Sequence, residues 1–166
     1  MAKIIHLVSG KLPGFEQVVI EYVMPHEKVE LEIRVKWFGK KLMRQVHAMW
    51  LSMVPAQKKQ SYVFTKMGEP VAPTDVVSRG ARTLHAVENV IVDYNVLIDN
   101  LDAPLVAPGQ MSLLDFHDRL PEMKGGLHFN LYNNAWGTNF PMCFKDDMTF
   151  RFIIKRRQKS KTRDLR

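Results

Sequence analysis

From Val29 to Lys36 apolar and charged residues alternate without a break, with Val29, Leu31, Ile33 and Val35 on one side and Glu30, Glu32, Arg34 and Lys36 on the other. Successive side chains of an extended chain point to opposite faces, so this period of two predicts a strand with one dry face and one wet face. Each buried aliphatic side chain gains about 1.5–3 kcal/mol, while each ordered backbone unit costs about 1–2 kcal/mol. Four such gains nearly cancel eight such costs, so the strand needs sheet neighbours and an opposing layer. The same alternation returns at Met148 to Ile154, with Met148, Phe150, Phe152 and Ile154 facing one way.

Further strands are expected at Ile4 to Val8, Gln17 to Val23, Ala48 to Val54, Ser61 to Thr65, Leu97 to Leu101 and His128 to Tyr132, with Thr83 to Tyr94 as one longer strand containing room for a bulge. Gly10, Pro13-Gly14, Pro25, Gly39, Gly68, Pro70, Pro73, Gly80, Pro104, Pro108-Gly109 and Gly125-Gly126 separate them. Such frequent breaks oppose long helices and suit short strands joined by turns. The pattern predicts an all-β fold, an antiparallel β-sandwich with at most one short helical turn. That turn is placed at Ser112 to Arg119, with Ser112 as N-cap, although Leu113, Leu114 and Phe116 fit a packed loop equally well.

A chain of 166 residues with 46% hydrophobic content is expected to bury one core. No apolar run reaches the roughly 20 residues of a membrane helix, and the N-terminus lacks a signal-peptide pattern. A lone Cys143 excludes an internal disulfide and no Asn-x-Ser/Thr acceptor occurs, so a cytoplasmic location is the expectation. The formal charge of +7 is uneven. From Lys155 onward seven basic residues face one acid, Asp164, and carry all but one of those net charges. The expected division is therefore a sandwich over 1–154 and a basic, solvated tail over 155–166. Nucleic acid is disfavoured as a partner because the body has no basic face interleaved with aromatics; binding of other anions by the tail is the rival reading.

Chemistry is sparse. His26, Glu27 and Glu30, or His85 and Glu88, are the best local metal pairs, but an offset of three in a strand puts His85 and Glu88 on opposite faces. No zinc-protease, phosphate-loop or nucleophile-elbow motif is present. Cys143 lies between Met142 and Phe144, company that favours a structural thiol, and the adjacent Asp146 and Asp147 suit a turn better than a glycosidase pair. The run from His128 to Pro141 concentrates amides beside aromatics. Sugars stack on rings and pair hydroxyls with amides, so it suits a carbohydrate-contacting loop. Asn133 and Asn134 in turns, above Trp136 and Phe140 in the core, is the structural alternative, and composition favours it.

That segment and Asp147 to Phe152 resemble the closing motif of family-38 glycoside hydrolase-like proteins, a bacterial branch related to α-mannosidases. Pro73 to Val77, Leu84 to Val87, Leu101 to Gly109 and Arg44 to Trp50 extend the resemblance over about Phe15 to Ile154. It implies a β-sandwich of the galactose-mutarotase-like, mannosidase C-terminal type, which in full-length relatives follows a catalytic α/β barrel. The zinc ligands and carboxylate nucleophile of those relatives belong to the barrel, so this chain inherits no catalytic residue, no metal ligand and no cofactor. By resemblance the chain is a non-catalytic fragment or split subunit whose partners are a barrel on another chain or a second copy. A free-standing carbohydrate-binding module is the alternative. Substrate-cleft contacts, in either case, fall on Asp102, Asn133, Asn134, Trp136, Thr138 and Asn139. Two departures bear on them: Val46 and His47 stand where Pro and Glu are expected, and Cys143 where a Trp is expected.

Overall fold

The computed structural model describes residues 1–8, 12–56, 61–115, 117, 119–135 and 143–157. The strands are β1 (Ala2–Leu7), β2 (Gln17–Met24), β3 (Glu30–Phe38), β4 (Ala48–Met53), β5 (Tyr62–Lys66), β6 (Glu69–Val71), β7 (His85–Ala86), β8 (Asn89–Val92), β9 (Val96–Asn100), β10 (Leu105–Pro108), β11 (Leu127–Asn133) and β12 (Met148–Arg156). They form two antiparallel sheets. The larger has the order β1-β2-β3-β12-β9-β8-β5-β6 and the smaller β4-β11-β10-β7. The fold is the all-β sandwich that the alternating pattern predicts. Among the described residues no helix is long and apolar enough to cross a membrane.

The core forms where the two sheets face each other. Ile33, Val35 and Trp37 of β3 and Phe150 and Phe152 of β12 are buried, as the period of two requires. They share one apolar cluster with Val106, Leu127, Phe129 and Leu131 of the smaller sheet. The Phe129 and Phe152 rings meet edge to face at 5.0 Å. Trp37 lies against Phe150 at 4.9 Å and meets Phe15 and Tyr132 edge on. Its indole N–H donates to the Asp146 carbonyl at 3.1 Å, so a large ring is buried without an orphaned donor.

Several expectations need correction. Val29 is 90% exposed, because β3 begins at Glu30 and Val29 falls in the connection from β2. Thr83 to Tyr94 is not one strand: His85–Ala86 pairs with β10 in the smaller sheet, and Asn89–Val92 pairs with β5 and β9 in the larger. The chain changes layers at Val87 and Glu88, whose N–H groups go to Pro104 and Thr65 carbonyls. No helical turn forms over the described residues of 112–119, where Leu114 takes a left-handed φ of 56° that a right-handed turn excludes. The 3-10 turn lies instead at Met123–Gly125. Strand β12 runs on to Arg156, with Lys155 paired to Leu97 of β9 and Glu30 of β3, so the sheet passes the expected boundary at 154. The rest of the basic tail, 158–166, lies outside the described residues. Strands β6 and β10 were not expected.

Six connections pass from one sheet to the other, and Asn100 holds two of them, the one between β7 and β8 and the one between β9 and β10. Its buried amide donates to Val87 O at 3.1 Å and Ala103 O at 3.0 Å. A net hydrogen bond contributes about 0.5–1.5 kcal/mol and a buried group left without a partner costs about 1–3 kcal/mol. Asn100→Ala removes both bonds together with a buried Oδ1 that has no partner, and is therefore expected to lower the unfolding free energy by roughly 1–3 kcal/mol, measured by urea denaturation; a change within error would show that the crossovers hold without it.

Candidate functional site

The C-terminal end of β11 collects the amides Asn133 and Asn134 singled out from the sequence. The pairing of β11 with β4 shifts register between Asn130 and Tyr132. A bulge of this kind re-aims the following side chain, and Tyr132 turns onto Trp37 although Leu131 is already buried. Lys40 lies over the same ring, its Nζ 4.3 Å from the Tyr132 centroid, and donates to Phe144 O at 2.6 Å. Only 3% of Lys40 is exposed, and burial holds its ammonium below the usual lysine range. Tyr132 Oη is buried without a hydrogen-bond partner, and burial pushes the phenol up.

Asn134 is spent on the fold. Its Oδ1 accepts the His47 N–H at 2.7 Å, and its Nδ2 donates to Gln45 O at 3.0 Å and Met43 O at 3.4 Å. The chain from Met43 to His47 is thereby fastened to the end of β11. Asn133 donates from Nδ2 to Asn130 Oδ1 at 2.7 Å and accepts the Ala135 N–H at 3.4 Å, a local Asx-type turn. Asp102 is elsewhere. Its carboxylate takes Arg151 Nε at 2.8 Å and Nη2 at 2.9 Å, and it also accepts the Arg151 backbone N–H. Arg151 alternates with the buried Phe150 and Phe152, so this pair lies on the outer face of the larger sheet. The structure thus brings Asn133 and Asn134 together and leaves Asp102 apart; Trp136, Thr138 and Asn139 lie outside the described residues.

The other reactive groups have structural partners. His85, 4% exposed, donates from Nε2 to Arg82 O and accepts at Nδ1 from Lys66 Nζ, and burial with the Lys66 charge lowers its pKa. Glu88 accepts the Gly68 N–H and does not meet it. Asp147 accepts the Gly39 N–H at 2.8 Å, and partly buried Cys143 donates to Met43 O. Ser112 and His117 both reach Asp115 Oδ2, at 3.4 and 3.3 Å. The acid therefore stands between them, whereas nucleophilic activation needs the imidazole against the hydroxyl. No group of three His, Cys, Asp or Glu among the described residues is placed to hold a metal ion.

Beside the amide cluster an apolar cleft of about 540 Å³ opens between the sheets. Val18, Ile20 and Val35 of the larger sheet face Met49, Leu51 and Leu131 of the smaller across it, and Gln45 and His47 supply polar groups. Sequence reasoning did not find the cleft, since it arises from the mismatch between the two sheets. His47, the residue at a departure from the expected motif, donates from Nδ1 to Gln45 O at 2.8 Å and packs on Tyr132 at 5.1 Å. No protein-family model, no curated protein and no solved structure matches the chain.

The Arg151 guanidinium beside Asp102, with the Arg151 N–H, holds this carboxyl below its ordinary value of 3.8. A lowered carboxyl pKa stabilises the fold above the unfolded-state value, and that stability is lost as pH falls through the folded value. Asp102→Asn is expected to reduce stability at neutral pH and to flatten the acid-side fall below about pH 4. Thermal melts of both proteins from neutral to acid pH test this; parallel curves would remove Asp102 from the stability account.

Proposed function

We propose that this chain is a non-catalytic β-sandwich module that scaffolds or completes an α-mannosidase-like glycoside hydrolase barrel carried on another chain. The observation that carries the reading is the cleft between Val18, Ile20 and Val35 on one side and Met49, Leu51 and Leu131 on the other. An apolar opening of this size in a sandwich is a surface for a partner more than for water. Two further points support it. The resemblance over Phe15 to Ile154 is to the sandwich part of such hydrolases, and the described carboxylates, histidines and amides discussed above are engaged in holding the fold. In this reading zinc and the carboxylate nucleophile come with the barrel.

Purified chain is expected to give no turnover of aryl α-mannosides, with or without added zinc. Mixing it with an α-mannosidase-like barrel lacking its own sandwich is expected to yield a soluble, active complex. The paired variant Met49→Glu, Leu51→Glu should prevent that complex from forming. Zinc-dependent hydrolysis by the chain alone, or failure of the unsubstituted chain to restore any barrel, would overturn the reading.

A further inference from the structure

Strand β1 lies at one end of the larger sheet, and all six of its residues are exposed. Ile4, Ile5 and Leu7 are 59, 56 and 59% exposed. In an antiparallel ladder, residues that exchange both backbone bonds with the neighbour alternate with residues that exchange none. The Val8 N–H bonds Val18 O, and the register is unbroken from Leu7↔Val19 to Ala2↔Met24. His6, Ile4 and Ala2 therefore direct their backbone groups to β2, while Leu7, Ile5 and Lys3 direct theirs outward.

Natural edges are blunted by proline, bulges, short length or lysine. The far edge of this sheet, β6, has three residues with Pro70 in the middle. In the smaller sheet β7 has two residues, and the pairing of β4 with β11 is broken by the register shift. Strand β1 has six residues, no proline and no bulge. Its lysine is also neutralised, since Lys3 Nζ lies 2.9 Å from the buried Glu21 carboxylate.

We propose that β1 pairs antiparallel with β1 of a second copy about a two-fold axis through Ile5. Only another extended strand matches a row of outward N–H and C=O groups, and this strand is self-complementary. With Ile5 opposite Ile5, Lys3 of each copy stands opposite Leu7 of the other, and the outward groups of all three residues are used. Sliding by two residues to set Ile4 opposite Ile4 leaves Leu7 opposite Met1, beyond the strand. The chosen register sets Ile5 against Ile5 and the Lys3 stem against Leu7 on one face, with Ile4 against His6 on the other. The two Lys3 charges stay apart, each on its own Glu21. The interface is isologous and closed, so it makes dimers and not fibres.

Sedimentation equilibrium of the full chain, from micromolar concentrations upward, is expected to show a reversible monomer–dimer equilibrium. Ile5→Pro removes an outward donor and no β1–β2 bond, a placement that edge strands tolerate. It is expected to weaken dimerisation by about tenfold or more, the effect of roughly 1.4 kcal/mol, with far-UV circular dichroism and Tm unchanged. Should Ile5→Pro disturb the fold, Ile5→Lys serves as the second variant, because it sets two like charges opposite each other at the axis. A monomer at every concentration, open-ended assemblies, or a dimer that survives both substitutions would each overturn the pairing.

Discussion

The fold depends on rings that cross from one sheet to the other. Phe129 of the smaller sheet meets Phe152 of the larger edge to face, and Tyr132 meets Trp37 in the same manner. Neither sheet is stable without such a contact, because a single sheet with one apolar face leaves that face in water. Removing a ring like Phe152 forfeits about 3–5 kcal/mol, a large part of the 5–15 kcal/mol that holds a typical domain. The strands that bear these rings are accordingly central. Strand β12 lies between β3 and β9, and β11 between β4 and β10.

Holding two layers in one relation also requires control of where the chain passes between them. Val87 leaves the smaller sheet and Ala103 leaves the larger, and both carbonyls end on one Asn100 side chain. The Val87 N–H closes onto Pro104 O, so each crossover braces the other. A buried amide is costly unless it finds partners. Here its two bonds fix which residues belong to which layer. Asn134 acts in the same way at the other end, tying the Met43 to His47 segment to β11 and thereby shaping one wall of the cleft.

Strands with unbroken alternation were legible in the sequence because burial on one face imposes a period of two. Strands β3 and β12 are of that kind, whereas β2, with Val18, Val19 and Ile20 in a row, was legible from its β-branched content. Assignment to a sheet was not legible: Thr83 to Tyr94 has continuous β character, and only the crossover at Val87 and Glu88 divides it between layers. Strands β6 and β10 are three and four residues long and too short to show a period. Among the candidate residues, Asn133 and Asn134 were identified by composition, which reports that amides are abundant and not which carbonyls they serve. The Lys40 ammonium over Tyr132 had no sequence signal, since it depends on a bulge and on contacts between segments far apart in the chain.

The two faces of the larger sheet are treated differently near its β1 end. On the outer face Glu21 is 7% exposed and is paired with Lys3 and Lys36, each at 2.9 Å, which keeps its carboxyl below the usual range. Lys36 stands opposite Val19 and Lys3 opposite Val23, so aliphatic stems flank the two buried valines while the charged ends meet water. Ile5 and Leu7 of the edge strand stay exposed on that face, while Val19 and Val23 are covered. The inner face has no equivalent. Eight strands at about 4.8 Å spacing span roughly twice the width of four, so the smaller sheet cannot roof the whole of the larger one. Val18, Ile20 and Val35 border the opening that results. This end of the sheet thus carries on its outer face an ion-pair cluster whose charged ends meet water, and leaves on its inner face aliphatic side chains beside a cleft.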